Sequence, residues 1–335
     1  MALHVVEGGD CLRYGLIGPG VHATEQLLPA LAQLDGAEFA AVAARSPERA
    51  RAAAARWGAE RYTDDWEDLL DPQVVDAMIL AATPELHAEA ISLCLERGVS
   101  VFAEKPPAPS TSSLERLVAA ERAAPRGVVA FVGFNFPYGA SYLKLRDALS
   151  THGEIRSFDV RMVSSKPLEV VGNVESLEES LLFGLGLHTI DMALRAMGFP
   201  SSVDVARAKI DDRRLALRIG LGYEDGRLAT IHIGNHSNRL EYRCEIVTAS
   251  GATGVLDQHN TLILSEVERT PRQAALDTKE TVRYAWPSRR GGYVRTGYLP
   301  ELESFHRSVV EGLPSTSSLA ASLGSYEIID RVLGR

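Results

Sequence analysis

Along its first third the chain alternates short apolar runs with longer amphipathic ones, the pattern of βαβ units built on a parallel sheet. Leu12 to Ile17 reads as a buried strand and Ala23 to Leu34 as a helix. Phe39 to Ala44 is a second strand, followed by a helix over Pro47 to Trp57 with its proline in the first turn. Val74 to Ala81 is a third strand, Pro84 to Arg97 a helix stopped by Gly98, and Val99 to Ala103 another strand. Ser112 and Glu115 stand at capping-box spacing where a further helix begins, and Gly127 to Val132 adds a strand.

Beyond about residue 150 the period shifts from 3.6 to 2. Ile155–Val163, Val203–Ile210, Leu215–Tyr223, Leu228–Ile233, Tyr242–Val247, Thr261–Val267 and Val282–Trp286 alternate as half-buried antiparallel strands do. Glu224-Asp225-Gly226 is a hairpin signal between two of them. One helix, Leu177 to Met197, interrupts this region, and two close the chain, Leu299 to Val310 and Ser318 to Leu333.

Length agrees with that change of texture: 335 residues exceed one ordinary core and call for two domains. A hydrophobic fraction of 45% with 24% charged residues is that of a globular protein. Thirty-five basic against 44 acidic residues leave a net charge of −9, which argues against nucleic acid and membrane as partners but leaves small anionic ligands open. Cys11, Cys94 and Cys244 form no CxxC pair, so a reducing compartment is expected. Met1 to Asp10 lacks a basic segment followed by an apolar one, and no apolar run is long enough to span a bilayer, so the cytoplasm is the expected location.

Gly15-Leu-Ile-Gly18-Pro19-Gly20-Val21-His22-Ala23 leaves the first strand and opens the first helix, matching GxGxxG/A with Ala23 in the third position. Gly18 makes the tight turn, Gly20 lets the backbone approach a pyrophosphate, and the helix N-terminus offers free N–H groups to it. The ribose-reading position falls at Ala43-Ala44-Arg45-Ser46, where NAD-binding chains carry an acid. Arg45 can stack on adenine and pair with a 2′-phosphate, and Ser46 can donate to the same group, which favours NADP(H) over NAD(H). The other reading is a solvated Arg45, with NAD held by backbone and ribose contacts. The expected architecture is an α/β Rossmann domain with a parallel sheet over residues 1–130. An α+β substrate-binding and oligomerisation domain with a large, mostly antiparallel open sheet follows over 131–335. The expected site is a cleft between them.

Two further motifs follow in order: Ala82-Thr83-Pro84-Glu-Leu-His87 after the third strand and Glu104-Lys105-Pro106 after the next. With Gly186-Leu-His188-Thr-Ile-Asp191 and Tyr298-Leu-Pro-Glu301-Leu302 they make the chain resemble, over nearly its whole length, the glucose-fructose oxidoreductase/inositol dehydrogenase/MocA (Gfo/Idh/MocA) family. The resemblance implies hydride transfer between a nicotinamide and a carbinol or carbonyl carbon of a sugar, cyclitol or nucleotide-linked sugar. It implies that Lys105 hydrogen-bonds the reacting oxygen, that the Lys105–Pro106 peptide is cis, that Glu104 sits near the nicotinamide ribose and that His188 exchanges a proton with substrate. Gly18, Pro19, Gly20, Val21, His22, Arg45, Ser46, Thr83, Pro84, His87, Glu104 and Lys105 are then the cofactor side. Lys105, Asn135, His188, Arg289, Arg290 and Tyr298 are the substrate side. An ammonium suits a developing alkoxide, and an imidazole suits proton exchange at neutral pH. Homo-oligomers are common in the family.

One position departs from it. Many members carry an aspartate four residues before the histidine, and here that residue is Gly184. Tyr138 and Tyr142 are the candidate substitutes as proton donors, or else they pack as core. Asp191 serves to orient the helix or the ring, or acts as a cap. Arg289 to Arg295 forms a basic, glycine-rich loop that either grips a diphosphate or is solvated. His232 and His236 share a face without a third ligand, so no metal is expected. Gly184 keeps two other functions open, an imine reductase on the same scaffold and a catalytically silent NADP-binding sensor.

Overall fold

The computed structural model describes residues 11–266, 280–285 and 292–335. They divide into two compact units. One holds the chain up to Asn135 together with Gly292–Leu323, and the other holds Phe136 onward together with Gly324–Arg335. The expected division at residue 130 thus falls five residues later, and a late segment expected in the second domain returns to the first.

In the first unit, β1 (Leu12–Ile17) leads to α1 (Leu28–Leu31), β2 (Ala37–Ala43), α2 (Pro47–Trp57) and the short β3 (Arg61–Thr63). Then follow β4 (Ala77–Leu80), α3 (Pro84–Arg97), β5 (Ser100–Glu104), α4 (Thr111–Ala123) and β6 (Ala130–Gly133). The six strands are parallel in the order β3-β2-β1-β4-β5-β6, the doubly wound arrangement whose ligand crevice lies beyond the carboxyl ends where the order reverses, between β1 and β4. Their apolar runs are buried on both faces, as parallel strands under helices require.

Three local expectations shift for physical reasons. The first helix opens as a π-turn over Ala23–Leu27, with the Leu28 N–H reaching back to the Ala23 carbonyl. Pro29 has no N–H to give the Glu25 carbonyl and would crowd it, and the wider turn makes room. The third strand begins at Ala77 because the Val74 and Val75 N–H groups both bond to the Asp71 carbonyl, at 2.7 and 3.0 Å, in a tight turn. Ser110, not Ser112, caps α4, in extended backbone with its side chain accepting from the Ser113 N–H at 3.2 Å.

The second unit starts with α5 (Ala140–Leu149), β7 (Ile155–Val163) and α6 (Leu177–Leu181), then a π-turn over Leu182–Gly186 leading into α7 (Leu187–Met197). Strands β8 (Ser202–Lys209), β9 (Leu215–Gly222), β10 (Leu228–Gly234), β11 (Glu241–Thr248), β12 (Thr253–Asp257), β13 (Thr261–Glu266) and β14 (Glu280–Ala285) complete it. They form one sheet in the order β14-β13-β12-β11-β7-β10-β9-β8, antiparallel except for the β7–β10 pair. Alternation along β7 puts Phe158, Val160 and Met162 into the core beneath α7, and Asp159 and Arg161 on the open face. Gly226, at φ +80°, closes the turn expected between β9 and β10.

After α8 (Gly292–Arg295), α9 (Tyr298–Glu311) returns to the first unit, where Phe305 packs against Phe102 and Phe131 with ring centroids 5.9 Å apart. Ser317 bonds both ways to Val132: the Val132 N–H donates to its carbonyl and its hydroxyl donates to the Val132 carbonyl, both at 2.7 Å. That pairing covers the outer edge of β6. The final helix, α10, spans Leu319–Leu333. No helix among the described residues is long and apolar enough to cross a membrane.

Candidate active site

Beyond the ends of β1, β2 and β4 lies a cleft of about 590 Å³. Its floor is the Gly18-Pro19-Gly20 turn, and its sides include Arg45, Ser46, Arg49, Asp64, Trp66 and Thr83. Gly18 has φ +89°, and a Cβ there would stand 2.4 Å from the Ala81 carbonyl oxygen, so the turn accepts only glycine. A Cβ on Gly20 would meet nothing within 4 Å, so the backbone faces open space above the first helical turn. A bare turn at a helix start, with room above it, fits a dinucleotide pyrophosphate. Val21 is 71% exposed on the same turn.

Arg45 is exposed on the cleft wall, as a 2′-phosphate partner would have to be. Ser46 differs from expectation. It caps α2, accepting from the Arg49 N–H at 3.3 Å, and its hydroxyl donates to Glu48 at 2.6 Å. Its proton is therefore committed to a carboxylate. Arg49, one turn into α2, brings a second guanidinium to this wall that the sequence reading did not name. Thr83 caps α3, accepting from the Leu86 N–H, with Pro84 in the first turn.

His87 has a structural task beside the cofactor contact expected of it. It is 1% exposed, its Nε2 accepts from the Ala82 N–H at 2.8 Å, and its Nδ1 bonds the Pro106 carbonyl at 2.9 Å. Both nitrogens are used inside the protein, where His87 ties the end of β4 to the Glu104-Lys105-Pro106 segment. The Lys105–Pro106 peptide is cis, as the resemblance implies. Burial holds the half-buried Lys105 ammonium below its ordinary proton affinity, and the neighbouring Glu104 charge opposes that shift.

Glu104, 8% exposed, receives His22 at 2.9 Å, and the His22 ring stands edge-on to Tyr298 with centroids 5.2 Å apart. Burial, with Glu104 and Glu301 nearby, raises the Tyr298 phenol well above its ordinary value, so it remains protonated. Asn135, 2% exposed, donates from Nδ2 to the Thr296 carbonyl at 2.8 Å and so fixes the chain just before Tyr298. That hydrogen bond gives Asn135 a structural task beside the substrate contact expected of it.

In the second unit His188 opens α7 just after the π-turn that contains Gly184. A Cβ at Gly184 would meet nothing within 4 Å. The His188 ring lies 4.7 Å from Phe136, which also stacks on His259 at 4.7 Å and on Tyr242 at 5.1 Å. His259 is 5% exposed, in the β12–β13 turn at φ +56°, and lies flat on Tyr242 at 4.1 Å. The sequence pattern predicts no strand over β12 and gives no sign that His259 lies beside Phe136. Asp191 is neither cap nor partner of His188: its buried carboxylate is bonded to Arg195 one turn on, at 2.7 Å. Burial raises its pKa against the pull of Arg195. Tyr142, 1% exposed, is a core residue on the inner face of α5, and burial pushes its phenol up. Tyr138 ends the short 3₁₀ turn Phe136–Tyr138 and is half-buried.

Arg289 and Arg290 lie outside the described residues. His232 stands on the open sheet face, where both ring nitrogens are within 3.2 Å of the Arg161 guanidinium, and the His236 ring is 6.1 Å away. Among the described residues no three His, Cys, Asp or Glu side chains group as a metal site would need.

Residues 12–134 match the family described as the oxidoreductase family with an NAD-binding Rossmann fold (GFO_IDH_MocA). The chain is 29% identical over 252 residues to inositol 2-dehydrogenase 2 of Saccharopolyspora erythraea, covering 72% of each sequence. It is 24% identical over 324 residues to myo-inositol 2-dehydrogenase of Thermotoga maritima, covering 92% of this chain and 91% of that one. A solved dehydrogenase structure from Chromobacterium violaceum superposes with a TM-score of 0.89 at 27% identity, over 97% of this chain and 95% of that one. The glycine turn, the parallel sheet order and these similarities agree: residues 12–134 form a Rossmann domain of the Gfo/Idh/MocA oxidoreductase family, and over most of its length the chain is similar to dehydrogenases named for that chemistry.

Proposed function

We propose that the chain is an NADP(H)-dependent oxidoreductase that moves hydride to or from a carbinol or carbonyl carbon of a sugar, cyclitol or nucleotide-linked sugar. The observation that carries the cofactor choice is the pair Arg45 and Arg49 on the wall of the same cleft whose floor is Gly18 to Gly20. Two guanidiniums beyond the end of β2 suit a 2′-phosphate better than a bare ribose hydroxyl. When bound, the nicotinamide supplies or accepts the hydride. Lys105 donates a hydrogen bond to the reacting oxygen and stabilises negative charge that develops there. His188 takes up or returns the proton of that oxygen.

The inositol dehydrogenases among the relatives make myo-inositol the first substrate to try, followed by aldoses and nucleotide-linked sugars. Gly184 supports a second reading, reduction of a C=N bond, since an imine nitrogen is basic enough to arrive protonated and needs no carboxylate behind His188. The free cysteines among the described residues fit a reducing compartment, the cytoplasm. The open face of the second sheet carries Arg161, Arg218 and Arg243 beside Asp159 and Glu245, a mixed-charge surface that suits a second copy of the chain. Reduction of NADP and of NAD is to be followed with each polyol, and oxidation of NADPH with the matching ketones and with imines. Turnover with a polyol or ketone, faster with NADP(H), supports the main reading. Turnover confined to imines supports the second, and NAD(H) preference overturns the cofactor choice.

A further inference from the structure

His22 is the one titratable side chain of the glycine turn, and it is not left to solvent. Its side chain is 43% exposed, against 10% for that of its partner Glu104. Three segments meet there: the turn after β1, the end of β5, and the start of α9 through Tyr298. The groups that face the imidazole are Glu104 and Lys105 from β5 and the segment after it, Glu25 from its own π-turn, and the Tyr298 phenol from α9. Burial and Lys105 disfavour the imidazolium; the hydrogen bond and charge of Glu104, with Glu25, outweigh them and hold the ring above its ordinary pKa.

We propose that His22 is a proton-carrying residue of the cofactor site, whose imidazolium joins the pyrophosphate turn to Glu104 and binds the dinucleotide more tightly than the neutral ring does. This rests on the reading that the glycine turn holds NAD(P).

The argument is electrostatic. A dinucleotide brings two phosphate charges to a turn that has a carboxylate, Glu104, fixed beside it. The imidazolium neutralises that carboxylate and adds a cation to the positive end of the first helix. Once His22 loses its proton, the same hydrogen bond leaves the Glu104 charge uncancelled by it, and the carboxylate is held by one neutral N–H. For a partly exposed group at a helix start, the difference amounts to about threefold to tenfold in Kd. Linkage makes the effect reciprocal: bound cofactor must raise the pH at which His22 titrates by the same factor. Glu104 is also the residue expected near the nicotinamide ribose, so the His22–Glu104 pair links the pyrophosphate turn to that side of the site.

The test is the fluorescence-derived Kd of NADH and NADPH between about pH 5.5 and 8.5 for the wild type, His22→Gln and His22→Arg. Glutamine keeps a neutral donor, and arginine keeps a permanent cation. Dividing each wild-type value by the His22→Gln value at the same pH cancels the titration of the cofactor and of the other histidines. The expected result is a ratio that rises about threefold to tenfold towards high pH, with His22→Arg staying at the tight limit. Imidazole proton NMR, with the signal lost in His22→Gln identifying His22, should show its titration moving to higher pH on cofactor binding. A ratio that does not change with pH, while all three proteins bind cofactor, overturns the inference and leaves the cofactor reading standing. Failure of every protein to bind either nucleotide at any pH overturns both.

Discussion

The His87 ring donates through Nδ1 to the carbonyl of Pro106 at 2.9 Å. The tautomer follows from its other bond: Nε2 faces the Ala82 N–H, which can only donate, so the proton must sit on Nδ1. Burial, the largest influence, keeps this imidazole below its ordinary pKa. The unfolded chain therefore binds a proton below about pH 6.5 that the folded chain resists, and stability falls on acidification through that range. His87→Ala empties a buried ring site and takes the partner from a part-buried N–H and a part-buried carbonyl, and should cost about 1 to 3 kcal/mol in urea unfolding at neutral pH. His87→Gln, which cannot ionise, should lose less stability than the wild type between neutral and mildly acid pH. Equal losses would remove His87 from the account.

The two glycines of the turn should separate folding from binding. Gly18→Ala pushes a Cβ against the Ala81 carbonyl at a positive φ, so the melting temperature should fall. Gly20→Val puts its side chain into open space, so the fold should hold while NADPH affinity drops at least tenfold. A Gly20→Val protein that binds NADPH normally would place the pyrophosphate elsewhere.

Arg45 and Arg49 should set cofactor choice together. Each replaced by Ala should weaken NADPH binding by about 1 to 2 kcal/mol while changing NADH binding little. Arg45→Asp should invert the preference. If NADH and NADPH affinities change in parallel, the guanidiniums serve the adenine or the fold and not a 2′-phosphate.

Gly184 offers a gain-of-charge experiment. Since a Cβ there would meet nothing within 4 Å, Gly184→Asp should fold normally. A carboxylate on the turn before His188 favours the imidazolium, so the acid limb of the pH–rate profile for alcohol oxidation should move up by about one pH unit. An unmoved limb would mean that His188 does not carry the titrating proton.

The first unit was largely legible because buried parallel strands and capped helices mark themselves. Leu12–Ile17, Pro47–Trp57 and Pro84–Arg97 stand in the structure where the sequence pattern puts them. What escaped depends on contacts distant in sequence. The return of α9 to the first unit rests on Phe305 meeting Phe102 and Phe131, and no local period reports such a contact. β3 and β12, at three and five residues, are too short for alternation to declare them. Among site residues, motifs marked Lys105 and His188. Only the fold shows that His87 is fully occupied by backbone, that Ser46 serves as a cap, that Asp191 is paired with Arg195, and that Arg49 shares the wall with Arg45.

The most direct test of hydride chemistry governed by Lys105 is isotope transfer. NADPH carrying deuterium at the reactive ring carbon is incubated with the ketone of the best polyol substrate, and the product is read by mass spectrometry for the wild type and Lys105→Met. The account predicts one deuterium at the new carbinol carbon with the wild type. With Lys105→Met it predicts none above background, while NADPH affinity stays within about threefold. Deuterium transfer by Lys105→Met at the wild-type rate would contradict it.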